Sequence, residues 1–220
     1  MWVSISKGMA KSRLSDKERD VIAAPRPDLC LEFANTLSWR GSEPPAESLN
    51  HIDDLLGWCV NSGAAGARRA DEMRAWAKKD PARAEALVAE AIAIRELIFR
   101  IFRPLGAGGS PAPADLARLN DWLKKAPARV AIDHDSAGLG WRIGRAAEPA
   151  AAAILAPVLW SAGDLLAGPN RDRARHCANE RCLWLFVDDS KTGNRRWCSM
   201  SACGNRAKAR RHYVRHKDQQ

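Results

Sequence analysis

The sequence predicts an α+β protein: a mostly helical N-terminal domain with a β-hairpin, then a treble-clef-like four-cysteine zinc finger of knuckle, β-hairpin, knuckle and basic helix. Three observations carry this expectation. Apolar residues recur at steps of three and four over most of residues 28–167. Near residue 130 the period changes to two. Four of the six cysteines cluster in a basic C-terminal segment.

The charge divides the 220-residue chain in the same way. Its formal charge is +9, but residues 1–170 hold 22 Lys+Arg against 21 Asp+Glu, whereas 171–220 hold 13 against 5. At 46 % hydrophobic and 28 % charged residues, the composition excludes a largely disordered or membrane-embedded chain. Residues 1–25 read as a flexible tail, 26–168 as a near-neutral, mostly helical domain, and 171–217 as a nucleic-acid-binding module. The start has no apolar run of signal-peptide length, and the apolar stretch 149–168 is interrupted by Pro157 and Asp164. A cytoplasmic location without membrane contact is expected, where clustered cysteines bind metal more often than they form disulfides.

In order, Asp28 caps a first helix through Leu29, Cys30, Phe33 and Leu37. Ser48 caps a second, with Ile52, Leu55, Leu56 and Cys59 on one face. A third spans 71–79. The longest begins after Pro81, buries Leu87, Ala91, Ile94, Leu97, Ile98, Ile101 and Phe102, places Arg95, Glu96, Arg100 and Arg103 on its polar face, and ends at Pro104. A fifth covers 113–125. Residues 129–133 and 140–143 alternate as a hairpin, a last helix spans about 151–167, and Gly168-Pro-Asn170 marks a domain boundary.

No nucleophile elbow, phosphate loop, dinucleotide fingerprint or zinc-protease pair occurs, so no catalytic residue is assigned and the chain is not expected to be an enzyme. Cys30 and Cys59 lie on apolar stripes and read as buried structural thiols. His51 reads as a helix-face residue and His134 as a turn residue.

Cys177-x4-Cys182 and Cys198-x4-Cys203, with 15 residues between the pairs, form two knuckles able to offer four thiolates to one tetrahedral Zn²⁺. Metal-free thiols and an iron–sulfur cluster remain alternatives, and His176, His212 or His216 could substitute for a cysteine. The predicted hairpin joins a strand at 183–187 to a return at 195–197, and Ser201 is a candidate cap for the final helix. A module of this size is expected to need its metal to fold, since structural zinc contributes on the order of 10–16 kcal/mol in finger peptides. Arg195, Arg196, Arg206, Lys208, Arg210, Arg211 and Arg215 form a concentrated basic surface suited to a nucleic acid. Trp184, Phe186 and Trp197 could stack on bases, although their spacing favours a small core.

The string Trp197-Cys-Ser-Met-x-x-Cys203-Gly-Asn-Arg206-x-Lys208 closely resembles the CGNR zinc finger of bacterial proteins. Leu29-Cys-Leu-Glu-Phe-Ala-Asn-Thr-Leu37 resembles the opening of the ABATE domain that precedes this finger in the family. The resemblance covers about residues 26–217. It implies a stress-associated transcriptional regulator whose finger binds DNA and whose first domain senses or assembles. It also implies Cys177, Cys182, Cys198 and Cys203 as ligands of one structural zinc.

The resemblance supplies no effector. Glu32, Asn35, Thr36, Trp39 and Arg40 combine polar groups with an aromatic and form a candidate effector pocket, or else tie down the following loop. The expected partners are duplex DNA, a small-molecule effector and a second copy of the chain, because one finger covers only ~600–1,000 Å² and a dimer would read paired half-sites. The alternatives are an RNA- or ribosome-associated zinc protein and an enzyme with a structural finger.

Overall fold

A computed structural model describes residues 21–135, 138–144, 146, 148–209 and 213. Its centre is α1 (Leu29–Ala34), in which Leu29, Cys30, Leu31, Phe33 and Ala34 are all buried. A helix apolar on all sides but that of Glu32 needs cover from several neighbours. α4 (Pro81–Leu105), α7 (Ala156–Ala167) and the strand β7 (Leu185–Val187) of the cysteine module provide it. The buried Ser161 hydroxyl of α7 accepts the Cys30 N–H at 3.1 Å, locking the first turn of α1 in place.

α4 is the long scaffold. Asp80 Oδ1 accepts the Arg83 N–H at its start, and Pro81 occupies the first turn, where its missing N–H costs nothing. Its predicted apolar stripe is buried throughout. α2 (Ile52–Asn61), α3 (Ala67–Lys79) and α5 (Pro113–Lys125) pack around it. The cap of α2 is His51 rather than Ser48. His51 Nδ1 accepts the Asp54 N–H and Asp54 Oδ2 accepts the His51 N–H, a reciprocal pair that a cap three residues earlier could not make.

Four further expectations are corrected. The first helix stops at Ala34, because Thr36 Oγ1 donates to the Phe33 carbonyl, and β2 (Leu37–Ser38) pairs with β3 (Ala46–Glu47). Residues 21–22, read as part of a flexible tail, form β1 (Val21–Ile22); the rest of the tail up to residue 20 lies outside the described residues. β1 pairs antiparallel with β5 (Gly138–Ile143), which also pairs with β4 (Arg129–Asp135). The last helix is two, α6 (Ala151–Ile154) and α7, broken at Leu155 because Pro157 lies in the first turn of the second.

Arg95 is the fourth. Although placed on the polar face of α4, it is 2 % exposed. Its guanidinium grips Glu47 with both terminal nitrogens and donates to Glu96 Oε1 at 2.9 Å. Glu96 in turn holds Arg40, which also donates to the Ala34 carbonyl and lies 4.0 Å over the Phe99 ring. This Glu47–Arg95–Glu96–Arg40 chain ties the loop after α1 to α4. Burial raises both carboxyls, but the arginine contacts prevail and hold Glu47 and Glu96 below the usual range.

Candidate metal centre

The cysteine module begins on the helical core. β6 (Ala174–His176) pairs antiparallel with β7, with Arg175 opposite Phe186, and Ala174 and Leu185 belong to the main core. Gly106, at the end of α4, lies so close to β6 that a Cβ there would be 2.6 Å from the His176 nitrogen. The predicted hairpin between the two knuckles is therefore corrected: Leu185–Val187 finds its partner before Cys177, and 195–197 is not a strand. Asp188 explains the difference. It is fully buried, accepts the Ser190 N–H at 3.0 Å and the Arg195 N–H at 2.8 Å, and so folds 188–195 into a loop. Burial raises its carboxyl, yet the Ser190 side chain together with the Arg195 and Ser190 N–H groups outweighs that and keeps it below the usual range.

The loop delivers the second knuckle beside the first. The Ala178 N–H donates to the Arg196 carbonyl at 2.8 Å, and the Cys177 N–H to that of Trp184 at 2.8 Å. Asn179 folds the first knuckle, its carbonyl accepting the Cys182 N–H, while its side-chain amide donates to Cys203 Sγ at 3.4 Å. Ser199, not Ser201, caps the turn bearing Cys203, because its hydroxyl is the one facing the Ala202 N–H. Residues 200–204 form one wide helical turn, and 205–209 continue it as α-helix.

The Sγ atoms of Cys177, Cys182, Cys198 and Cys203 all lie within 4.8 Å of one another. Cys182 and Cys198 are 3.8 Å apart. Four ligands at a Zn–S distance of about 2.3 Å around a tetrahedron have edges of about 3.8 Å, so the donor set fits the ion in both chemistry and size. The thiols also need a cation. The Cys182 thiol lowers Cys177 to about 5, the same contact raises Cys182, and burial together with the charge on Cys177 raises Cys198 to about 12. One thiolate thus suppresses ionisation of its neighbours, and a divalent ion among them removes that penalty. Four thiolates fill a tetrahedral shell, so this is a structural zinc site. Among the described residues no histidine joins the cluster; His212 and His216 lie outside them.

The basic residues are placed unequally. Arg195 is committed to its own module: it donates to the Trp197 and Cys198 carbonyls, pairs with Asp189 and lies 4.7 Å over Phe186. Arg196 is exposed and lies 5.6 Å from the Trp197 ring. Lys208 is exposed, and Arg206 is exposed with its guanidinium 4.7 Å over Trp39 of the helical domain. Arg210, Arg211 and Arg215 lie outside the described residues. Phe186 is buried and Trp197 packs against the cysteines, while Trp184 is 39 % exposed.

The residues grouped as an effector pocket separate. Glu32 pairs with Arg26 at the surface, Asn35 binds the Leu185 backbone, Thr36 bonds back to its own turn, and Arg40 joins the ion chain. Trp39 alone of the five lines a cavity, of about 970 Å³, between the 39–46 loop and the cysteine module. Sequence reasoning missed Arg181 and Gly41 here. The Gly41 N–H donates to the Arg181 carbonyl at 3.2 Å, and a Cβ on Gly41 would fall 1.8 Å from the Glu180 carbonyl oxygen. A glycine in a loop rich in proline and serine gave no signal of that approach. Cys30 and Cys59 are fully buried, and burial pushes both thiols up to about 12, which keeps them protonated and unreactive.

Among the described residues no helix is long and apolar enough to cross a membrane. No curated protein matches the chain. Residues 173–216 match the CGNR zinc finger, the span that contains all four clustered cysteines. Residues 27–169, which hold α1 to α7, match the ABATE family, described as "Putative stress-induced transcription regulator". With the helical domain of one and the metal module of the other in sequence, the chain belongs to the ABATE family and carries a C-terminal CGNR zinc finger.

Proposed function

We propose that the protein is a DNA-binding transcriptional regulator in which the zinc-stapled finger contacts duplex DNA and the helical domain receives the signal. The observation that carries it is the concentration of 13 cations against 5 acids in residues 171–220, around a metal site that leaves no position open for a catalytic water. The chain is not proposed to be an enzyme. Arg196 and Lys208, both exposed, are the described cations best placed to meet phosphate, and Arg210, Arg211 and Arg215 extend the same segment. Arg195 supports the finger from within. Arg206 can reach a polyanion only by leaving Trp39. Coupling between the domains has a direct route, because β6–β7 rests on α1 and α4 and the 39–46 loop touches the first knuckle.

A dimer on paired half-sites follows from the small area of one finger. Val130, Ile132 and Leu139, exposed at 51 %, 58 % and 77 %, give the β4–β5 hairpin an apolar surface suited to a second copy. Light scattering after size exclusion tests that assembly, and a monomer at micromolar concentration contradicts it.

The DNA reading is tested by titrating the zinc-loaded chain with genomic duplex fragments over a range of salt. Four or five neutralised phosphates give a slope of log K against log salt of about −4. The pair Arg196→Ala/Lys208→Ala should reduce that slope by about 2. Unchanged affinity and slope in the pair, or stoichiometric displacement of DNA by structured RNA at fixed salt, overturns the proposal.

A further inference from the structure

We infer that the cavity between the 39–46 loop and the zinc finger is a binding site for a small planar aromatic monocarboxylate. The cavity is a cleft open to solvent with a volume of about 970 Å³, within the range of small-molecule sites, and it lies at a junction of domains, where such sites concentrate. Two indoles, Trp39 and Trp197, and two guanidinium groups, Arg181 and Arg206, line it together. Arg206 covers one face of Trp39 and Arg196 lies 5.6 Å over Trp197, so a flat ring would meet the remaining indole surface, while a guanidinium fork suits a carboxylate bound through both oxygens.

The arginines set the charge of the ligand. Several guanidinium groups of the fold meet carboxylates, as in Arg40–Glu96, Arg95–Glu47, Arg100–Asp115 and Arg129–Asp164, and those of Arg173 and Arg175 are taken up by backbone carbonyls. Among the described residues the Arg206 guanidinium has only the Trp39 ring as partner, and the Arg181 guanidinium donates only to Ser42 Oγ, at 3.4 Å. Glu180 lies on the same rim and offsets one of the two positive charges, so the lining matches a single negative charge better than a phosphate dianion.

Trp39 is held for this task at some cost. It has φ = +53°, a left-handed conformation that is strained for a residue with a Cβ. The backbone contact of Gly41 with the 180–181 knuckle fixes the loop on one side, and Arg40 in the ion chain fixes it on the other. Both sides of the cavity are therefore rigid, one anchored to α4 and the other to the metal ligands.

The consequence for regulation rests on the DNA-binding reading: a carboxylate on Arg206 holds that cation at Trp39 and keeps it from moving to DNA. The binding itself does not depend on that reading and is tested separately. Calorimetric titration of the zinc-loaded full chain uses benzoate, indole-3-carboxylate, the neutral benzamide and adenosine monophosphate. At least one carboxylate should bind saturably with one site per chain, and tenfold or more above benzamide and the nucleotide. Arg206→Ala and Trp39→Ala should each weaken that binding at least tenfold, and Arg206→Lys by less than Arg206→Ala, with zinc content unchanged in all three. No saturable carboxylate binding, equal affinity for benzamide, tighter binding of the nucleotide, or full affinity in Arg206→Ala overturns the proposal. DNA affinity of the same preparation, measured without carboxylate, reports on the regulator reading alone.

Discussion

Asn35 meets the backbone of Leu185 with both ends of its amide: Nδ2 donates to the carbonyl at 2.8 Å, and Oδ1 accepts the N–H at 2.9 Å. Both groups are buried, 150 residues apart, and the side chain does for β7 what a neighbouring strand would do. The finger is thereby joined to the helical domain by a satisfied polar pair set among apolar contacts. Asn35→Ala leaves two buried backbone groups unpaired and should cost about 3 kcal/mol. Asn35→Asp should be no better, because a carboxylate cannot donate to the Leu185 carbonyl. Urea unfolding of the zinc-loaded chain measures both, and a loss under about 0.5 kcal/mol would show that the pair is dispensable.

Zinc removal should be felt beyond the finger. β6 and β7 cover α1 and α4, so chelation should lower the thermal midpoint of the helical domain as well as unfold 174–209. Cys177→Ser and Cys203→Ser should each abolish tight binding of one zinc per chain. Metal analysis checks the ligands and far-UV circular dichroism the midpoint; stoichiometric zinc in both variants would mean a different ligand set.

The ion chain gives a pH dependence of definite sign. Because Glu47 and Glu96 have lowered values in the folded chain, their contribution is present above the ordinary carboxyl range and lost as pH falls through those lowered values. Glu96→Gln should destabilise at pH 7 by about 1–3 kcal/mol, leaving Arg40 poorly paired, and should flatten the acid limb of the stability curve. Unfolding midpoints from pH 7 to pH 3 test it, and parallel curves for both proteins would remove Glu96 from the account.

Gly41→Ala should act unlike an ordinary loop substitution. The added carbon would meet the Glu180 carbonyl at 1.8 Å, so the 39–46 loop or the knuckle must retreat, at about 1–3 kcal/mol. Gly57→Ala in α2 meets nothing within 4 Å and should stabilise by up to about 1 kcal/mol. Differential scanning calorimetry compares the two, and equal midpoints would show that the seam adjusts freely.

The sequence by itself determined the mostly helical domain, the long apolar stripe of α4, the β4–β5 hairpin and the four zinc ligands, because each is written in local spacing: period 3.6, period 2, or paired cysteines. The tertiary structure decided what those spacings are silent about. Ala174–His176 has no strand pattern and becomes β6 only because Leu185–Val187 and the end of α4 lie beside it. Arg95, polar by composition, is buried because Glu47, 48 residues away, joins its neighbour Glu96 in pairing with it. Arg195 and Arg196, equivalent as a basic pair, part because Asp188 folds the loop so that only Arg195 turns inward. Partners far apart in sequence leave no periodic mark, so pairing, burial of charge and the seam that joins finger to helical domain emerge only when the chain is folded.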